Sequence, residues 1–451
     1  MAESTDTIQK EIQEREAEEK RELRRKRRRK NRIMAFITLI LFICLFVTLI
    51  VVAVWAVNRH MSQKEPVTHP VDETEIEDLF ESEEDLVKPE ETETQVQLTP
   101  EQQLDAIIDE AFISQMPLED KVAGLFIVTP ESITGVDKAV RAGDGTKEAL
   151  NKWAVGGVIY SSQNMQSAEQ FTEMVSNTAL YSRYALFTCV EEEGESLGSL
   201  EKAGLMEKVS GAGDIGTGAD AQMAYDASGK IADAMVSYGL NLNFAPVADL
   251  ALTDENYLQD RSYGSDASLT ASMVASATGS MQEKGISSCL KYFPGSGSCT
   301  DDTNKGIAIT ERTAEEFAAE EFTVFKAGID AGADFVMVGH ISAPALAGDN
   351  TPCSLSAAVV TDQLRNGLGF QGVIITDAMN KGAITEYYEA DEAAILALKA
   401  GCDMILAPDD FEKAYNGVLE AVQNGTISEE RINDSLKRIY RIKYANMMPE
   451  E

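Results

Sequence analysis

The chain has 451 residues, of which 75 are Asp or Glu and 39 Lys or Arg, a net charge of −36. So acidic a protein repels polyanions, which argues against nucleic acid as a partner. The six cysteines show neither CxxC spacing nor a Cys/His cluster, so neither a disulfide framework nor a metal is expected, and no cofactor is called for.

In chain order, residues 1–32 form a basic segment in which Leu23 to Arg32 carries eight Lys or Arg and no acid. Residues 33–57 follow, 25 positions without a charge, more than the roughly 20 needed to span a bilayer as a helix. Together they predict a single-pass membrane anchor with the N-terminus cytoplasmic and the remainder extracytoplasmic. A cleaved signal peptide ending near Val54-Trp55-Ala56 is the rival reading, but the apolar run is about twice a usual signal core. Beside a membrane, the basic run reads as a contact with anionic headgroups. Beyond residue 32 there are 27 basic and 67 acidic residues, a net of −40. Residues 58–98, with 13 acids, three bases and little apolar periodicity, read as an extended, solvated linker.

From Thr99, with Pro100 behind it as a helix start, residues 99–451 alternate two hydrophobic periods. Eight short apolar runs occur: Ala123 to Val128, Gly156 to Ser161, Ala185 to Val190, Leu240 to Val247, Ser288 to Phe293, Asp334 to Ile341, Gly372 to Asp377 and Asp403 to Pro408. Between them lie amphipathic segments such as Ala168 to Leu180, Asp220 to Gly239, Thr313 to Gly332 and Asp391 to Gly401, several ending in a glycine suited to a helix C-cap. This pattern predicts an α/β fold, a (β/α)8 TIM-type barrel, with a doubly wound open sheet as the alternative. Cys189, Cys289 and Cys402 fall in strand-like runs and are expected buried and reduced; Cys299 and Cys353 fall in loops and are the candidates for reactivity.

Barrel chemistry gathers where strands end, so the polar residues closing each run are the candidates. They are Glu191 to Glu193 after the third run, Asp249 after the fourth, Lys291 in the fifth, His340 in the sixth and Asp377 after the seventh. Each has a bland alternative. Asp377 could be a helix N-cap, Glu191 to Glu193 a charged loop, Arg261 a salt-bridge partner of Asp260 or Asp266, His340 a core histidine and Asp302 a turn residue. With His340 the one histidine of the domain and no glycine-rich phosphate loop, serine-triad and phosphate-binding readings fall away.

The motifs MPLEDKVAGLFIV, WAVGGVIYSSQNMQSAEQ, LNLNFAPVADL, DRSYGSD, KYFPGSGS, MVGHISAP and LGFQGVIITDAMNKGAI, in this order, resemble glycoside hydrolase family 3, in particular its single-domain β-N-acetylhexosaminidase branch, over about Leu118 to Asn446. The resemblance implies a (β/α)8 barrel and retaining hydrolysis of β-linked sugars without a cofactor. It makes Asp377 the nucleophile and gives sugar-contacting roles to Glu191, Asp249, Arg261, Lys291 and His340. The branch's acid/base is a histidine held by an aspartate on the loop after strand five; the aspartate matches Asp302, but the histidine position is Asn304, which cannot shuttle a proton. The branch's DQEGGR after strand three is here Glu191-Glu192-Glu193-Gly194-Glu195-Ser196, and two further histidine positions are Tyr292 and Ser296. In larger relatives an additional C-terminal domain supplies the acid/base; here such a donor is expected only from another subunit.

Two readings follow. One is an active membrane-anchored glycosidase, working on cell-wall or related β-linked glycans such as peptidoglycan fragments, with Asp302 or a strand-three glutamate as replacement acid/base. The other is a catalytically degenerate, membrane-tethered glycan-binding pseudoenzyme.

Overall fold

The computed structural model describes residue 104, residues 106–109 and residues 112–444 except 196 and 257. The basic segment, anchor and linker expected over residues 1–98 lie outside the described residues, among which no helix is long and apolar enough to cross a membrane.

Every expected run contains a strand: β1 Phe126–Val128, β2 Gly157–Ile159, β3 Phe187–Val190, β4 Leu242–Asn243, β5 Ser287–Phe293, β6 Phe335–Val338, β7 Val373–Ala378 and β8 Met404–Leu406. All pair in parallel and in sequence order, and β8 returns to β1 through Phe126↔Ile405 and Ile127↔Leu406. The sheet is therefore a closed barrel, and the open-sheet alternative falls. Closure explains the strand composition. With side chains packed inward and helices outside, β-branched residues such as Val373, Ile374 and Ile375 are fully buried on both faces.

The helices begin and end where local chemistry directs. Ser167 and Gln170 form a capping box at Ala168–Tyr181, and Asp220 caps Ala221–Tyr238, which ends on Gly239 at a left-handed φ of 77°. One expectation is corrected here. The segment Thr313 to Gly332 is two helices, Ala314–Ala319 and Glu321–Asp330, broken at Glu320 (φ −116°, ψ −75°). Arg312 draws the break inward, binding Glu320 at 2.6 Å and the buried Glu321 at 2.8 Å.

Below the barrel, ahead of β8, the fully buried Asp403 accepts hydrogen bonds from Arg365 Nη2 (2.6 Å), Arg438 Nη1 (2.9 Å), Ser435 Oγ (2.7 Å) and the Ile374 amide (3.0 Å). The last helix, Glu429–Tyr444, brings Lys443 Nζ to 4.9 Å from the Phe187 ring centroid, at the start of β3. The cysteine expectation also changes. Cys299 and Cys353 are buried, and burial pushes both thiols up to about 12, so neither is a reactive thiol. Cys402 is buried as expected but precedes β8.

Candidate active site

The site is assembled where β3, β5 and β7 end. After β3 the chain stays extended through three glutamates, so alternate side chains face opposite ways. Glu191 and Glu193 share one side. Lys291 Nζ, fully buried on β5, lies 2.6 Å from Glu191 Oε1 and 2.5 Å from Glu193 Oε1. Arg261 reaches the same pair, with Nη2 3.0 Å from Glu191 Oε1 and Nε 2.7 Å from Glu193 Oε2. Enclosure alone would raise the Glu191 carboxyl, but Lys291 and Arg261 outweigh it and hold Glu191 far below the usual carboxylate range.

Glu192 faces the other way. It is fully buried, and its Oε2 accepts the amides of Leu200 (2.7 Å) and Glu201 (3.2 Å), capping the short helix Ser199–Lys202. Gly198 makes room for it, since a Cβ there would lie 1.5 Å from Glu192 Oε1.

Tyr292, at the second-last position of β5, joins the two halves of the mouth. Its hydroxyl accepts from Arg261 Nη2 at 2.9 Å and donates to Glu191 Oε1 at 3.4 Å. Lys291, Lys381 and Arg261 all stand within 5.3–5.6 Å of its ring centroid.

Asp377 closes β7, with 4% of its surface exposed. Its Oδ1 accepts the Ala378 amide at 2.7 Å, and its Oδ2 meets Lys381 Nζ at 2.7 Å. Burial by itself would push this carboxyl up; the Lys381 ammonium and the Ala378 amide together reverse that and hold it below its ordinary value. Asp377 and Lys381 form one wall of a cavity of about 190 Å³, whose other walls include Glu191, Tyr292 and, from the loops after β1 and β2, Glu131, Ser161 and Gln163.

The remaining expected residues lie beneath or beside this cavity. His340 is 1% exposed. Its Nε2 lies 3.1 Å from the Ala378 carbonyl, which can only accept, so Nε2 carries the proton and Nδ1 accepts from Ser354 Oγ at 2.8 Å. Burial, helped by Lys381, outweighs the Asp377 carboxylate and keeps the ring neutral. His340 thus braces the exit of β7, with both ring nitrogens taken internally.

Asp249 is likewise withdrawn from the cavity. It is fully buried, its Oδ2 accepts Ser296 Oγ at 2.6 Å, and its Oδ1 accepts the Ser296 amide at 3.1 Å. Burial outweighs these bonds and raises it to about 6. Its place is at the root of the loop after β5. Asp302, farther along that loop, makes an Asx turn in which Oδ1 accepts the Asn304 amide (2.9 Å) and Nδ2 (2.6 Å), and it is not part of the cavity wall.

The sequence reading passed over Lys381, although its spacing four residues after Asp377 was a signal. Among the described residues no group of three or more His, Cys, Asp or Glu is placed to hold a metal ion.

A closed parallel barrel whose strand ends carry a nearly buried carboxylate opening on a small cavity places the site where barrel enzymes carry out their chemistry. The sequence profile described as glycosyl hydrolase family 3 N terminal domain matches residues 117–442, so the chain belongs to glycosyl hydrolase family 3, whose members act on O-glycosyl compounds. Among its relatives, a beta-hexosaminidase of Hydrogenovibrio crunogenus is 30% identical over 63% of this chain and 81% of its own length. A beta-hexosaminidase of Stenotrophomonas maltophilia is 30% identical over 60% and 82%. The structure of a glycoside hydrolase family 3 beta-N-acetylglucosaminidase from Paenibacillus sp. is similar at a TM-score of 0.69 and 29% identity over 74% of this chain; this chain covers 64% of that one.

Proposed function

We propose that the protein is a retaining glycosidase acting on β-linked N-acetylhexosaminides, with Asp377 as nucleophile. The observation that carries the reading is a carboxylate held ionised at 4% exposure on the wall of the cavity. A retaining mechanism needs that state, because the carboxylate must attack an oxocarbenium-like carbon and form a covalent glycosyl-enzyme. The beta-hexosaminidase relatives support the sugar class. The charge-free run 33–57 behind a basic segment supports a membrane anchor with the barrel outside the cell, where cell-wall glycans, peptidoglycan fragments included, are the accessible polymers. Deleting 33–57 is then expected to move the protein from the membrane to the soluble fraction.

The test is turnover of an activated aryl β-N-acetylglucosaminide and its glucoside analogue by wild type and Asp377→Asn. Loss of turnover in the variant supports the reading; equal turnover in both removes it. One observation favours a second reading. Asn304 Nδ2 is tied to Asp302 Oδ1 at 2.6 Å, so the position where the resemblance places the acid/base histidine holds an amide bound to its neighbour and not a titratable group. Sugar binding without turnover of either compound would identify a glycan-binding barrel. In an active enzyme the same feature predicts that an unactivated oligosaccharide is cleaved about 10²- to 10⁴-fold more slowly than the aryl glycoside.

A further inference from the structure

Lys381 occupies a position that the family resemblance assigns no role. Its ammonium lies 2.7 Å from Asp377 Oδ2, its side chain is 16% exposed on the cavity wall, and the Tyr292 ring stands 5.3 Å from it on the other side. Its backbone is held as firmly as its head group. Lys381 is the residue before the short helix Gly382–Thr385, and the first two amides of that helix donate to the loop after β5, Gly382 N to Asn304 O at 3.2 Å and Ala383 N to Thr303 O at 3.0 Å. The fit is close, since a Cβ on Gly382 would lie 2.7 Å from the Lys305 carbonyl carbon. Thus the loop whose Asp302 and Asn304 side chains are closed on each other is docked on the segment that delivers Lys381.

We propose that Lys381 is a positioning residue for the nucleophile, clamped by the loop after β5, and that it acts mainly by stabilising the Asp377 carboxylate as the glycosyl-enzyme is hydrolysed. This inference rests on the glycosidase reading. In the first step an Asp377 oxygen bonds to the anomeric carbon, and the electron pair of the broken C–O bond leaves with an aryloxide, which needs no protein proton. The ester is neutral, so the ammonium has lost its charge partner. In the second step a water oxygen attacks the same carbon, the C–O bond to Asp377 breaks, its electron pair returns to the carboxylate, and the water proton passes to solvent. Re-forming the ion pair with Lys381 favours that second departure, whereas the same pair opposes the first attack. Glycosylation and deglycosylation are therefore affected unequally.

The other titratable groups facing Asp377 are His340 from the segment after β6, Cys289 and Tyr292 from β5, and Glu191 across the cavity. Arg261 and Lys291 are already bound to Glu191 and Glu193, so they do not substitute for Lys381.

The experiment compares full-length wild type, Lys381→Met, Lys381→Arg and Gly382→Ala on the aryl β-N-acetylglucosaminide, by pH-dependent steady-state kinetics and rapid quench. In Lys381→Met, kcat is expected to fall about 10- to 100-fold, the range of a hydrogen bond to a charged group, with a smaller loss in kcat/KM. A burst of aryl alcohol approaching one per enzyme should appear, and the acid limb of kcat/KM should move to higher pH because burial of Asp377 is less opposed. Lys381→Arg should restore much of kcat, and Gly382→Ala, which pushes the loop away, should show a weaker form of the Met pattern. An unmoved acid limb, equal losses in both steps, or Met and Arg variants that behave alike would overturn the proposal. If wild type neither turns over nor labels covalently, the glycosidase reading fails, and with it the turnover role. Carbodiimide labelling of Asp377 against pH then tests the positioning role by itself. A midpoint that is higher in Lys381→Met than in wild type retains that role, and an unchanged midpoint removes it.

Discussion

Replacing Lys443 with Met should stabilise the barrel in acid and do little in alkali. The ammonium reaches the base of the barrel between the Phe187 ring (4.9 Å) and the Tyr440 ring (5.1 Å), and burial, only slightly opposed by Cys189, pushes the lysine down from its ordinary 10.5 to about 7. That displacement corresponds to a ceiling of roughly 5 kcal/mol. The aromatic faces return about 0.5–2 kcal/mol to the charged form. A net of up to about 3–4.5 kcal/mol against the folded state is therefore expected wherever the lysine must be protonated. Between about pH 7 and 10.5 the unfolded chain binds a proton that the folded chain does not, so wild-type stability rises with pH across that window. The penalty is full below about 7 and gone above about 10.5. Urea titrations at about pH 6 and about pH 9.5, followed through the buried Trp153, should show Lys443→Met more stable than wild type at the lower pH and much less so at the higher. A difference independent of pH, or a variant less stable at pH 6, would refute the assignment of a partly desolvated amine facing aromatic rings.

Asp403→Ala is expected to cost about 3–5 kcal/mol, because it strands Arg365, Arg438 and the Ile374 amide around a lost buried charge; the same urea titration measures it. Gly198→Ala should expel Glu192 from the cap of Ser199–Lys202, since the new Cβ would sit 1.5 Å from Glu192 Oε1. A loss of about 2–4 kcal/mol is expected, together with a raised KM from the displaced neighbour Glu191, and an unchanged KM would detach this cap from the site.

The eight strands were legible because each is a short apolar run punctuated by turn chemistry, and Asp377 was legible because an acid abruptly ends such a run. The side of the mouth taken by each glutamate was also accessible in principle, through the two-residue alternation that sends Glu191 and Glu193 one way and Glu192 the other. What composition and spacing could not supply was which charges are already satisfied. Arg261 meets Glu191 and Glu193 from about 70 positions away. His340 depends on a carbonyl of the neighbouring strand and on Ser354, partners that only closure of the barrel brings together. Cys299 and Cys353 were misjudged because a loop was equated with exposure, whereas Cys299, in the loop after β5, and Cys353, in the short 3-10 helix Cys353–Leu355 between β6 and β7, are both buried.

With Arg261 and Lys291 already matched by Glu191 and Glu193, the mouth offers an arriving sugar polarity without spare positive charge. A hydroxyl can enter such a lattice by trading one hydrogen bond for another. A carboxylate or sulfate must first unseat an acid, after crossing the field of a region with 67 acidic and 27 basic residues. Uronic, sialic and sulfated units are therefore expected to be rejected at the innermost position by charge rather than shape. Acidic groups more than about 8 Å farther along a chain would be largely screened at physiological salt, so the polymer as a whole is free to be anionic.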